Sequence, residues 1–235
     1  MFHYSPRKRG QTGSLVLSTR LPNFLRKIQG MGLFITFEGG EGAGKSTQAK
    51  LLANHLIAAG VDVLLTREPG GTALGESIRA LVMHGGEVDA KTEALLYAAD
   101  RAHHVARVIA PALAAGKVVI CDRFSDSSVA YQGAGRGLGM KAIRGLSDWA
   151  SGGVAPDLTF LLNLDTDAGA GRVSQRGKRR DRIESAGSEF HERIHKAFQR
   201  IAVAESARIV PINACGSVKE IHEQIVEVVK KHIKT

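Results

Sequence analysis

The sequence predicts an α/β fold built on a five-stranded parallel sheet with helices on both faces. Two observations carry this. Five short apolar runs, 33–37, 61–66, 118–121, 158–164 and 208–213, are separated by stretches of helical periodicity, the pattern of strands buried on both sides. Residues 39–46, Gly-Gly-Glu-Gly-Ala-Gly-Lys-Ser, fit the phosphate-binding pattern G-x-x-x-x-G-K-[ST] at every fixed position, between an apolar run and a helical one.

The elements follow in order. Leu33–Phe37 is apolar and β-prone, and Gln48–Ala59 sets Ala49, Leu52, Ala53, Leu56 and Ile57 on one helical face. Between them the glycines turn backbone N–H groups toward an anion, and the helix N-terminus adds its unpaired donors. Gly39, Gly40, Glu41, Gly42, Ala43, Gly44, Lys45, Ser46 and Thr47 are therefore the expected triphosphate-binding set, with Lys45 near the β/γ-phosphates and Ser46 placed to ligate Mg²⁺. The chain is expected to bind a nucleoside triphosphate. Lys91–Ala115 reads as one long helix with Leu95, Ala99, Ala102, Val105, Ile109 and Leu113 as its apolar stripe and a kink at Pro111. Ser217-Val218-Lys219-Glu220 is a capping box opening the last helix, whose apolar face is Ile221, Ile225, Val228 and Val229. The one irregular, charge-dense stretch is 171–184.

The 235 residues suffice for one domain with a lid. Residues 1–37 hold six bases and no acid, so most of the net +9 belongs to the N-terminal region and +3 remains for the rest. That balance gives no support to nucleic-acid binding. Residues 1–30 are expected to be a dispensable basic extension ahead of a 31–235 domain, with Met31 the natural start; a basic, Ser/Thr-containing transit segment is the alternative. No apolar run nears the ~20 residues that cross a bilayer. Cys121 and Cys215, both expected to be buried thiols, suggest a reducing cytoplasm.

In a doubly wound sheet, ligands lie beyond the carboxyl ends of the strands, and the informative residues gather there. Arg67 after the second strand suits bidentate phosphate contact or is a surface arginine of a Pro-Gly turn. Asp122 after the third supports Mg²⁺ or its waters, and Arg123 again suggests phosphate. Tyr97 and Arg101, spaced i, i+4, share a helix face. They could stack on a base and bond its edge, or be a half-buried tyrosine and a solvated arginine. His103 and His104 lack metal-like spacing and read as surface or core histidines. Arg176, Arg179 and Arg182 fall in the irregular stretch, where a mobile loop could close an arginine onto a γ-phosphoryl group; the phosphate loop has none of its own.

Phe37–Ser46, Arg67-Glu68-Pro69-Gly70-Gly71-Thr72, Asp122-Arg123-Phe124, Ser127–Gln132 and the arginine-rich stretch together resemble the thymidylate kinases, from about Met31 to the C-terminus. The resemblance implies transfer from ATP to dTMP with Mg²⁺, in a homodimer of the bacterial subtype with an arginine lid at about 171–184. It implies that Glu41 faces the sugar 3′-hydroxyl, that Arg67 and Arg123 hold the dTMP phosphate, and that Arg101, Ser128 and Gln132 address thymine. Tyr131 would crowd the sugar C2′ position, and Tyr97 stands where phenylalanine is usual. Lys45, Arg123 and the lid arginines would be the catalytic set, with Ser46 and Asp122 toward the metal. Replacing Tyr131 by Ala is expected to leave ATP binding intact, its ring being taken as remote from the phosphate loop. A kinase for another monophosphate is the nearest rival. A GTPase switch lacks its Asn-Lys-x-Asp segment here, and a nucleic-acid motor its second motor domain.

Overall fold

The computed structural model describes residues 32–174, 182–183 and 185–234. Five strands, β1 (Leu33–Glu38), β2 (Val63–Arg67), β3 (Val118–Asp122), β4 (Leu158–Asn163) and β5 (Ile209–Asn213), form one parallel sheet in the order β2-β3-β1-β4-β5. All five lie where the apolar runs place them, shifted at their ends by no more than two residues.

The pleat divides the strand side chains between two cores. Ile35 and Phe37 of β1, Val118 and Ile120 of β3, and Leu158, Phe160 and Leu162 of β4 pack with Leu52 and Leu56 of α1 (Lys45–Ala58) and with Ile221, Ile225 and Val229 of α9 (Val218–Lys234). Phe34, Val119 and Cys121 point the other way, onto Val105, Ile109 and Ala112. Beside them Leu161 meets Ile194 and Phe198 of α8 (Ser188–Ala204) and Val129–Tyr131. The capping box of α9 forms reciprocally: Ser217 N–H donates to Glu220 Oε2 at 2.8 Å and Glu220 N–H to Ser217 Oγ at 3.3 Å.

The remaining helices are α2 (Ala73–His84), α3 (Ala90–His104), α4 (Ala110–Ala114), α5 (Ser125–Ser128), α6 (Met140–Ser151) and α7 (Thr166–Ser174). Three expectations need correction. The long helix is not a plain kinked α-helix: a π-helical turn, Val105–Ile109, separates α3 from α4. Pro111 has no N–H for the Arg107 carbonyl, and its ring crowds that oxygen, so the preceding turn widens. The expected stripe also faces partly outward. Leu95 is 59% exposed and Ala99 exposed, whereas the inner face of α3 carries Glu93, Asp100, Arg101 and His104, all 2% exposed or less. Cys121 is buried but Cys215 is exposed. Of the irregular stretch, 171–174 complete α7; Arg176 and Arg179, like residues 1–30, lie outside the described residues.

Candidate active site

β1 runs into the phosphate loop, which becomes α1 at Lys45. No side chain caps α1 and its first turn holds no acid, so its leading N–H groups stay available to an anion. Two glycines show why the loop needs them. Gly39 has φ +134°, and a Cβ there would sit 2.5 Å from the Leu162 carbonyl oxygen. Gly42 has φ +73°, and its Cβ would come within 2.4 Å of the Gly169 carbonyl oxygen in α7. A Cβ on Gly169 would in turn meet the Glu41 carbonyl oxygen at 2.6 Å, so α7 and the loop touch backbone to backbone. Lys45 Nζ donates to the Gly40 carbonyl at 2.6 Å. Burial, then the neighbouring Arg123, brings its pKa down to about 8, marking a cation held ready for an anionic partner. Ala43 packs into the core, while Thr47 lines the cleft.

β3 delivers Asp122 to the same place. Ser46 Oγ donates to Asp122 Oδ2, and Asp122 Oδ1 is buried with no hydrogen-bond partner. A hydroxyl beside an unsatisfied carboxylate oxygen fits Mg²⁺, which needs only one or two protein oxygens when phosphates and water complete its shell. Among the described residues no cluster of three or more His, Cys, Asp or Glu offers an all-protein metal cage.

Arg123 links the two halves of the cleft. Its backbone is left-handed, φ +71°, which turns the guanidinium back across the end of β1. It donates to the Gly39 carbonyl at 3.1 Å, Ser127 Oγ at 3.0 Å, the Tyr131 hydroxyl at 3.0 Å and Glu41 Oε1. The Tyr131 hydroxyl donates to Glu41 Oε1 at 2.8 Å, so Tyr131 is not remote from the phosphate loop but bonded to it. Against the upward pull of burial, Arg123 and then Lys45 hold the Glu41 carboxyl at about 2. Behind this group, Glu38 accepts from the Phe124 N–H at 2.8 Å and from Ser127 Oγ, fixing the turn that carries Arg123. Burial, reinforced by Asp126, raises the Glu38 pKa to about 7.

The cleft has a volume of about 580 Å³. Besides the loop, its walls include Arg67, Tyr97, Arg101, Arg123, Ser128, Tyr131 and Gln132, which brings the expected monophosphate-side residues together. Arg67 is half exposed and turned onto Glu76. Arg101 is not solvated: Glu68 pairs with it at 2.8 Å, Ser128 and Ser147 Oγ accept from it, and it lies 5.0 Å over the Phe124 ring. His104 is a core histidine, bonded to Thr66 Oγ1 at 2.7 Å and Glu68 Oε1 at 3.0 Å. Tyr131 and Gln132 sit on a second π-helical segment, Val129–Gly135. Arg182 is bonded to Glu93 and to the Val82 carbonyl, at the Gln132 end of the cleft.

Three buried carboxylates of this wall had no role in the reading of the sequence: Glu38, Glu68 and Glu93. The first two lie inside the quoted motifs, directly before Gly39 and Pro69. Glu93 had a signal of its own, since 93, 97 and 101 are successive i, i+4 positions of α3 and share its cleft-facing side.

The chain is similar to known proteins. The sequence profile described as Thymidylate kinase matches residues 37–225. A thymidylate kinase of Synechococcus sp. (strain JA-2-3B'a(2-13)) is 52% identical over 201 residues, covering 86% of this chain and 96% of that protein. One from Leifsonia xyli subsp. xyli (strain CTCB07) is 53% identical over 195 residues, 83% and 92% of the two chains. The crystal structure of thymidylate kinase from Ehrlichia chaffeensis superposes with a TM-score of 0.71 at 35% identity, covering 85% of this chain and 98% of that one. With profile, sequence relatives and fold in agreement over the same span as the cleft, the chain belongs to the thymidylate kinase family.

Proposed function

We propose that the protein transfers the γ-phosphoryl group of ATP to dTMP, giving ADP and dTDP on the way to dTTP. The observation that carries this is the reach of Arg123, whose guanidinium bonds Gly39 and Glu41 of the phosphate loop and Ser127 and Tyr131 of the opposite wall. One cation there can neutralise two phosphates brought in line. The acceptor is a phosphate monoester with a second pKa of about 6, mostly dianionic at neutral pH, so no general base is required. Lys45 meets the β/γ-phosphates, Arg67 swings from Glu76 to the acceptor phosphate, and Arg101, Ser128 and Gln132 border the base beside Tyr97. Ser46 and Asp122 would hold Mg²⁺, which when bound screens the phosphate oxygens. Arg176 and Arg179 remain proposed lid groups, whereas Arg182, expected with them, is instead bonded to Glu93 and the Val82 carbonyl. Coupled assays with dTMP, dUMP, UMP, dGMP and dAMP test the reading. dTMP should exceed dUMP by roughly 10- to 200-fold in kcat/KM through its methyl group, with UMP lower again and the purines nearly inert. A preference for UMP or a purine would overturn it.

The same proposal includes a cytoplasmic homodimer in which residues 1–30 are dispensable. Support for the dimer comes from large exposed apolar side chains on three neighbouring helices: Leu81 on α2, Leu95 on α3 and Trp149, 80% exposed, on α6. For location, the support is two unpaired cysteines, and no described helix is long and apolar enough to cross a membrane. Light scattering of the full chain should give twice 25.1 kDa, and a chain starting at Met31 should also dimerise, with equal activity and melting temperature. A monomeric mass, or an inactive short chain, defeats the corresponding part; fractionation of cells checks the location.

A further inference from the structure

Glu93 is fully buried, and both of its carboxylate oxygens are occupied. Oε1 accepts from Gln132 Nε2 at 2.9 Å and Arg136 Nε at 3.2 Å; Oε2 accepts from an Arg136 terminal nitrogen at 3.1 Å and from Arg182. Two guanidinium groups on one buried carboxylate keep it ionised: burial pushes its pKa up, but the bonds from Arg136, Gln132 and Arg182 outweigh it and the pKa falls. An ionised carboxylate only accepts. The group that Gln132 turns to it must therefore be the NH₂, which settles the amide orientation on chemical grounds. Gln132 lines the cleft, and its other end, the carbonyl Oε1, is what it can offer there.

We infer that Glu93 is a positioning residue that sets base choice through Gln132: it commits the Gln132 carbonyl to the cleft, so that the facing base edge must carry an N–H donor. Thymine and uracil carry one at N3, whereas cytosine presents a lone pair there and meets the carbonyl oxygen unpaired. This rests on the proposal that the Gln132 end of the cleft receives a pyrimidine. The amide of Gln132 alone could turn over and serve either base; the ionised, saturated Glu93 removes that freedom. The two arginines make the lock durable, because a protonated carboxyl could donate to the carbonyl and release it.

The test compares kcat/KM for dTMP and dCMP, with thermal melting, in wild type, Glu93→Gln and the exchange E93Q/Q132E. Wild type should favour dTMP by on the order of 10³-fold or more, as expected where a mismatched base leaves buried polar groups unpaired. In Glu93→Gln the new amide can donate to the Gln132 carbonyl and let it rotate, so the dTMP/dCMP ratio should fall about tenfold or more. The exchange puts an acceptor-only carboxylate back on the cleft side and an amide behind it, and should recover the preference. A merely structural Glu93 would lower both rates alike; an equal loss, or an unchanged ratio, overturns the inference. If the single variant does not fold, the charge-conserving exchange decides alone: retained preference for dTMP supports the lock and lost preference overturns it. A wild type that prefers dCMP would instead fell the assignment of the site itself, so the two failures are distinguishable.

Discussion

Lys45→Ala is expected to abolish phosphoryl transfer to every acceptor, by on the order of 10³-fold or more in kcat. Lys45 is the cation that emerges from the loop itself, 2.6 Å from the Gly40 carbonyl and 7% exposed. Among the described residues no other lysine lines the cleft, and Arg123 is already engaged by Glu41, Ser127 and Tyr131. The fold should not suffer. The Lys45 pKa is depressed to about 8, so the folded state disfavours its charged form. Below pH 8 the folded protein therefore carries a penalty that the unfolded chain does not. Removing the charge should leave the melting temperature unchanged or raise it at pH 7. Wild-type stability should itself rise as pH climbs from 8 toward the ordinary lysine range. A folded Lys45→Ala protein that retains more than a tenth of wild-type turnover would show that the loop amides and arginines do the work without it.

Tyr131→Ala is expected to damage more than sugar recognition. The ring is 6% exposed, edge-on to Phe190 and Phe198 at 6.3 and 6.2 Å, with the Arg123 guanidinium 4.8 Å above it. Emptying that space should cost about 3–5 kcal/mol, roughly 10 °C in melting temperature for a chain of this size. The hydroxyl also leaves Glu41 and Arg123, so the KM for ATP should rise together with that for dTMP, contrary to what distance in sequence suggests. The dUMP–UMP gap should narrow because the sugar loses its aromatic wall. Tyr131→Phe separates the effects: it keeps the ring and the gap, and loses only the hydroxyl bonds, about tenfold in kcat/KM. An unaltered dUMP–UMP ratio in Tyr131→Ala would remove the ring from sugar selection.

The fold was legible because the strands are buried on both faces and read as unbroken apolar runs, and the phosphate loop because its chemistry needs fixed residues at fixed spacing. What escaped the sequence has a common cause. The stripe Leu95, Ala99 and Ala102 looked like the inner face of α3 because apolar periodicity is the usual sign of burial. Here the inner face is polar: Arg101 and His104 pair with Glu68, and Glu93 is bonded by Gln132. Such pairings form between residues tens of positions apart, and nothing local announces them. The Tyr131–Glu41 bond spans 90 positions, so its link between the sugar wall and the phosphate loop had no trace in either motif.

The backbone contact between Gly42 and Gly169 has a mechanical consequence. With no side chain on either residue, nothing compressible lies between the loop that grips phosphate and α7, the helix leading into the arginine-rich stretch. The two meet as a bearing meets a shaft. Any displacement of the loop toward α7 would bear directly on carbonyl oxygens, with no side chain between to absorb it. A methyl group on either glycine would wedge the two apart, so the seating of the phosphate loop depends on both residues staying bare.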